Sequence, residues 1–156
     1  MPEPGRGIRV ALERGEERFE DALLGEQRQA PAAQCGDLLL RDRLGQWTYQ
    51  FAVTVDDRRH GVDLVVRGAD LLASTGRQIR LARLLGRVEP PAFLHHPLLL
   101  KPSGEKLSKA SRDTALRELR AAGLRAAEVL GEACFRAGVL PGARAIGAGA
   151  LAHLFS

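Results

Sequence analysis

The chain has 156 residues, enough for one domain with a single core and too few for two large ones. Apolar residues make up 45%, no apolar run approaches the roughly 20 residues of a membrane span, and Met1–Arg9 carries no apolar leader, so a cytoplasmic protein is expected. Lys and Arg outnumber Asp and Glu by 23 to 19, giving +4 and a pI near 9.7; this mild excess fits a polyanion partner such as tRNA or ATP and fits equally an arginine-rich solvated surface.

In chain order, residues 1–7 (MPEPGRG) are rich in Pro and Gly and predict a disordered start. Ile8, Val10 and Leu12 alternate as in a short strand, and residues 13–36, crowded with charges and a Gln/Ala/Pro stretch, read as mostly loop. Asp37–Arg43 (DLLLRDR) predicts a strand, with a turn at Leu44-Gly45-Gln46. Tyr49–Val55 (YQFAVTV) fits strand or helix, while Val62–Val66 (VDLVV) predicts a strand buried on both faces and therefore parallel. Ser74 or Thr75 can cap a helix whose apolar face includes Ile79, Ala82 and Leu85, with Gly86 at its C′ position. Pro90-Pro91 separates that helix from a further apolar strand, Phe93–Leu100.

A polar loop, Lys101–Ser111, follows. Asp113 then caps a helix ending at Gly123, and a second helix over about Arg125–Ala137 turns Val129, Leu130, Ala133 and Cys134 inward. Residues 141–149 read as a flexible tail and Leu151–Phe155 as a last helical turn. Strand, helix, strand, helix in the middle predicts an α/β parallel sheet with helices gathered at the end. Cys35 and Cys134 stand far apart, without a CxxC or Cys/His cluster, so no zinc site is expected. Asp56, Asp57 and Asp70 are read as capping and ion-pairing groups rather than metal ligands.

The segment richest in chemistry is Pro102-Ser103-Gly104-Glu105-Lys106-Leu107-Ser108-Lys109-Ala110. Two lysines three apart, in a Gly- and Ser-containing loop after an apolar strand, can face one anion together. A mobile loop can close over a polyphosphate and bring ammonium charge to it during transfer, where negative charge develops in the transition state. By themselves, two lysines fit a charged surface loop just as well.

The order of motifs is more specific. TYQFAVTVDDRRHGVDLVVRGAD (Thr48–Asp70), LLASTGRQIRLARLLG and PPAFLHHPLLLKPSGEKLSK follow one another. In this order and spacing the chain resembles the second half of a glutamyl-type class I aminoacyl-tRNA synthetase catalytic domain, over roughly residues 8–140. KLSKA stands where that family carries its KMSKS-type loop. Gly36-Asp37-Leu38-Leu39-Leu40-Arg41 with Tyr49-Gln50 resembles the glutamyl-queuosine tRNA(Asp) synthetase subgroup. So does the short segment, 110–156, that follows Lys109 in place of a large helical anticodon-binding region.

The resemblance implies the second half of a Rossmann-type parallel sheet with a small helical segment after it. It implies three parts: 1–46, a remnant of the connecting region; 47–103, the second half of the catalytic domain; and 104–156, the KLSK loop and terminal helices. It implies ATP, accompanied by Mg, as co-substrate, with glutamate and tRNA(Asp) as partners. Tyr49 and Arg67 then match the groups that hold glutamate, Lys106 and Lys109 the catalytic lysines, and Lys106, Leu107, Ser108 and Lys109 the ATP-phosphate loop. Ala110 departs from the signature's last Ser. His95 matches the histidine of the strand before the loop and is read as packing or orienting another group.

The family's HxGH motif, a further arginine and acidic residue for glutamate, and the subgroup's frequent zinc-binding cysteines belong to the first half of such enzymes. They have no counterpart here: His60-Gly61 and His95-His96 lack the pattern. The expectation is therefore a truncated family member that activates glutamate only together with an amino-terminal half, and that self-associates without it. A catalytically inactive remnant, an RNA-binding or interaction module, and a fragment of a glutamyl-tRNA synthetase remain open alternatives.

Overall fold

The computed structural model describes residues 5–100, 103–104 and 115–154. The first residues of the expected disordered start, the Lys106–Lys109 segment and the expected Asp113 cap lie outside the described residues. The chain divides into two compact units, Met1–His96 and Pro97–Ser156.

In the first unit, β1 (Ile8–Val10) and β4 (Leu38–Arg41) form an antiparallel ribbon, as the two apolar runs predict. The turn expected at Leu44-Gly45-Gln46 is held by the Asp42 carboxylate, whose Oδ1 accepts from the backbone N–H groups of Leu44 and Gln46 at 2.9 and 2.8 Å. It returns Trp47 to pair with Arg41.

The main sheet has four strands in the order β3 (Gly25–Gln29), β2 (Glu17–Asp21), β6 (Ala92–His96), β5 (Leu64–Gly68). β2 and β3 form an antiparallel hairpin, while β2–β6 and β6–β5 are parallel. The hairpin corrects the expected loop at 13–36, as does a short helix α1 (Pro31–Cys35). β2 alternates as a half-buried strand does, but its inward residues are Glu17, Phe19 and Asp21. Two of the three are carboxylates, so hydropathy alone does not show the period.

Tyr49–Arg59 is helical (α2), which settles the strand-or-helix ambiguity; Arg58 and Arg59 in its last turn complement the negative end of the helix dipole. β5 leads through a 3-10 turn (Ala69–Ser74) into α3 (Thr75–Leu84) and on to β6, the crossover that two parallel strands require. α3 ends as the sequence predicts. Gly86 takes a positive φ of 86°, which costs a residue without Cβ nothing. The N–H groups of Gly86 and Arg87 donate to the Arg83 and Ala82 carbonyls at 2.9 and 2.8 Å, closing a Schellman motif.

Ile79 of α3 packs on Phe19 and Phe93, with Val65 and Leu72 around them, and the two rings meet edge to face at 5.5 Å. Burying each of these large side chains stabilises the unit by about 1.5–3 kcal/mol. β5 is parallel as expected but lies at the sheet edge. Val65 turns inward while Leu64 and Val66 are 46% and 58% exposed, which corrects the expectation of burial on both faces. β6 spans Ala92–His96, so the strand expected over Phe93–Leu100 stops before the apolar residues 98–100.

The second unit holds α4 (Leu116–Ala121), α5 (Ala126–Arg136) and α6 (Ala148–Leu151). The Glu118 and Glu128 carboxylates accept the backbone N–H groups of Ala115 and Arg125 at 3.1 and 2.8 Å, starting α4 and α5. Cys134 faces inward as expected. The stretch after α5 is not the flexible tail read from sequence, since Leu140 and Ile146 are buried. Ile146 N–H donates to the Ala127 carbonyl at 2.9 Å. A Cβ on Gly131 would lie 1.6 Å from the Arg144 oxygen, so a glycine is needed for this backbone to lie against α5.

Candidate functional site

Strand alternation places one polar group from each parallel strand on the α3 face, at the carboxyl end of the sheet. On that face β2 presents Glu17 at its amino end, Phe19, and Asp21 at its carboxyl end, β6 presents Phe93 and His95, and β5 presents Val65 and Arg67. Register sets Arg67 beside His95. The start of α3 adds Thr75 and Gln78, one turn apart, and the start of α2 adds Tyr49 and Gln50. This is the end of an open α/β sheet at which ligands gather.

The side chains form one directed hydrogen-bond chain. Arg67 donates from Nε to His95 Nε2 at 2.9 Å, from Nη1 to Gln78 Oε1 at 2.6 Å and from Nη2 to Thr75 Oγ1 at 2.8 Å. Gln78 passes its amide N–H to Gln50 Oε1 at 2.6 Å, and Gln50 passes its own to Ser74 Oγ at 3.1 Å. On the other side, His95 Nδ1 donates to Asp21 Oδ2 at 2.6 Å. Asp21 also accepts the backbone N–H of His95 at 3.1 Å, and those of Leu23 and Leu24 at 3.1 and 3.0 Å. The Arg67 guanidinium carbon sits 5.5 Å from the Phe93 ring centroid.

The electrostatics follow from these contacts. Burial pulls the Arg67 pKa below its ordinary value, and the nearby Tyr49 phenol and Asp57 carboxylate oppose that only in part. The groups that accept from Arg67, on His95, Gln78 and Thr75, are all neutral. These use three of the five N–H donors of a guanidinium, and the Tyr49 oxygen lies close enough to accept from a further one. Burial pushes the Asp21 carboxyl up, but hydrogen bonds from the His95 ring and from the Leu24, Leu23 and His95 backbone outweigh it and leave the group below its ordinary range. Burial holds Asp57 above its ordinary range despite Arg67 and Arg87 nearby. The site is therefore a half-buried, partly desolvated positive charge, held on three sides, with donor capacity in reserve. A carboxylate fits that arrangement.

Of the groups expected from sequence, the structure brings Tyr49 and Arg67 together and sets His95 directly against Arg67. Lys106, Leu107, Ser108 and Lys109 lie outside the described residues. Sequence reasoning missed Asp21 and Gln78, saw Thr75 only as a helix cap, and used Gln50 only as part of a motif. The alternation Glu17-x-Phe19-x-Asp21 is the signal that could have found Asp21. Among the described residues no group of three or more His, Cys, Asp or Glu side chains could hold a metal ion. No helix there is long and apolar enough to cross a membrane.

A family model for the catalytic domain of class I tRNA synthetases (E and Q) matches residues 4–146. A glutamyl-Q tRNA(Asp) synthetase of Nitratidesulfovibrio vulgaris is 49% identical over 124 residues, which are 79% of this chain and 38% of that protein. One of Bordetella bronchiseptica is 52% identical over 112 residues, 71% of this chain and 35% of that protein. The crystal structure of a glutamate tRNA ligase from Elizabethkingia meningosepticum, in complex with its amino acid, superposes with a TM-score of 0.55 at 28% identity, covering 73% of this chain and 21% of that one. The chain spans under two fifths of the length of these relatives.

Proposed function

The chain belongs to the family of class I tRNA synthetase catalytic domains of the E and Q type, and on that premise we propose that its strand-end site holds L-glutamate. The observation that carries this reading is Arg67, a desolvated guanidinium whose acceptors are all neutral. Such a charge gains most from a carboxylate, which can take its remaining N–H groups as a pair. The Tyr49 phenol, 54% exposed beside it, offers one more hydrogen bond at the open side.

The larger reading rests on the resemblance and on the names of the relatives. In it, glutamate is activated with ATP and transferred to the queuosine base of tRNA(Asp). Lys106 and Lys109 bring positive charge to the ATP phosphates, with Leu107 and Ser108 between them in the same loop. Mg enters with ATP. The described residues offer no ligand cluster for it. The chain contributes the amino-acid end of the site, and adenylate formation draws on the portion of the relatives' length that this chain does not span.

Calorimetric titration of the full chain with L-glutamate, L-glutamine and L-aspartate tests the site. The expected result is saturable binding of glutamate in preference to the other two, lost in Arg67→Ala. Absence of saturable glutamate binding, or binding indifferent to Arg67→Ala, would remove the glutamate assignment. Glutamate-dependent pyrophosphate exchange tests the larger reading: this chain alone is expected to show none. In a fusion to the amino-terminal portion of a relative, exchange is expected to appear and to be lost in Lys109→Ala.

A further inference from the structure

We propose that Asp21 and His95 are positioning residues for Arg67, acting as a tautomer lock: Asp21 fixes the imidazole proton on Nδ1, so that Nε2 presents a lone pair to Arg67 and sets the plane of the guanidinium. The inference deepens the glutamate reading, and its structural core is independent of it.

His95 Nε2 has two neighbours, Arg67 Nε at 2.9 Å and the Thr75 hydroxyl at 3.2 Å, and because the hydroxyl can donate or accept, the closer arginine decides the tautomer. Arg67 Nε carries a hydrogen and has no lone pair to offer, so the nitrogen 2.9 Å away must accept. That nitrogen is His95 Nε2, and the ring proton therefore sits on Nδ1, 2.6 Å from Asp21 Oδ2. With the proton on Nε2 instead, two N–H groups would face each other and the guanidinium would have to turn away. Asp21 is suited to prevent this because every group it meets is a donor: the His95 ring, the His95 backbone and the Leu23 and Leu24 backbone. A carboxylate accepts all of them, whereas an amide would turn its own N–H groups against one. His95 and Asp21 are fully buried, so neither can recover a lost partner from water. Neither is placed to touch a ligand held at the outer N–H groups of Arg67. They act through its orientation, as a carboxylate behind a histidine orients a metal-bound or catalytic ring.

Two substitutions at one position separate this role from a merely structural one. The Gln side chain reaches the place of Nε2 and can accept from Arg67, but gives up the Nδ1 contact. Asn reaches the place of Nδ1 and can donate to Asp21, but leaves Arg67 Nε unmet. If His95 positions Arg67, His95→Gln keeps L-glutamate affinity within a few-fold of the unaltered chain and His95→Asn loses roughly tenfold or more, as expected for an unpaired charged donor. If His95 serves only to satisfy buried Asp21, the order reverses and the proposal is overturned.

Nitrogen-15 NMR of the full chain gives a readout that needs no ligand. The expected spectrum has a protonated Nδ1 and a bare Nε2 for His95, with a slowly exchanging Arg67 Nε–H that survives in His95→Gln and disappears in His95→Asn. A protonated Nε2, or an Arg67 Nε–H indifferent to both substitutions, would overturn the lock. If the unaltered chain binds no L-glutamate, the glutamate assignment falls, and the NMR still decides the lock. Should His95→Asn fail to fold, Asp21→Asn read by the same resonances takes its place, the expected change being loss of the Nδ1–H tautomer.

Discussion

The two ends of β2 bury a carboxylate in opposite ways. At one end Glu17 is 1% exposed and meets two guanidinium groups, Arg80 at 2.5 Å and Arg83 still closer. At the other end Asp21, equally buried, meets a histidine and backbone N–H groups, and Arg67, which feels its charge, rests on neutral acceptors. The same helix serves both ends: Arg80 and Arg83 of α3 answer Glu17, while Thr75 and Gln78 answer Arg67. Where opposite charges meet directly, the cluster is complete and fastens helix to sheet. Where a cation is held only by neutral groups, its charge stays available to something that arrives from outside.

That contrast predicts opposite consequences of mutation. The largest effect on folding belongs to Glu17→Gln, which leaves Arg80 and Arg83 without their carboxylate. Removing one member of a buried ion pair costs about 3–5 kcal/mol, a large share of what a small domain has. Urea unfolding should show that loss, while the fraction still folded binds L-glutamate as before. An equal loss of affinity in the folded fraction would mean that the two ends of β2 are not separate.

Arg67→Ala should do the reverse. Loss of a charge-assisted contact in a desolvated site costs binding on the order of 2–5 kcal/mol. The cost to folding comes only from the acceptors left behind on His95, Gln78 and Thr75, and should be smaller than for Glu17→Gln. If Arg67→Ala instead unfolds the protein, the Arg67 cluster is a structural ion site like that of Glu17.

Acid sharpens the comparison further. The folded-state pKa of Asp21 is depressed below its ordinary 3.8. Its contribution to stability is therefore present above the ordinary value and is lost as pH falls through the lowered one. Asp21→Asn should flatten that part of the acid-unfolding curve and weaken the protein at neutral pH. A curve with the same acid limb in both proteins would show that Asp21 is not among the groups that set it.

The same chemistry explains what the sequence could and could not reveal. α3 was readable because Ile79 and Ala82 repeat at helical spacing and Gly86 stops the helix. α5 was readable from Leu130, Ala133 and Cys134. Arg67 and Tyr49 were found through the resemblance and lie side by side. β2 was invisible because Glu17 and Asp21, though buried, look like surface residues until Arg80, Arg83 and His95 are known to meet them from far along the chain. Gln78 was equally hidden, since its role depends on the α3 turn falling against Arg67. In β5, Leu64 and Val66 read as core, but an edge strand with α3 packed on one face turns Val65 and Arg67 inward, only half-buried, and leaves Leu64 and Val66 exposed. Apolar periodicity finds elements; it does not show which polar residues the fold encloses or which face it leaves open.

Asp57 lies between the two modes and gives the smallest expected effect. It sits in α2, close enough to Arg67 and Arg87 to feel both charges, yet burial leaves its pKa raised above 3.8. A raised carboxylate pKa means that the ionised form is disfavoured in the folded state, so Asp57 weakens folding at pH values above its own pKa and ceases to do so as pH falls through it. Asp57→Asn removes that burden. Because the group is only partly buried and water screens it, the gain should stay under about 0.5 kcal/mol. Binding should also respond. An ionised Asp57 offsets part of the Arg67 charge that a ligand carboxylate would otherwise meet, so the amide should raise L-glutamate affinity by about twofold, and more at low ionic strength than at high. The two changes share a cause but are measured separately, by urea unfolding and by calorimetric titration across a salt series. Weaker binding in Asp57→Asn would show that Asp57 helps hold the ligand, for instance by its amino group, and would move it from the background of the site into the list of groups that touch the substrate.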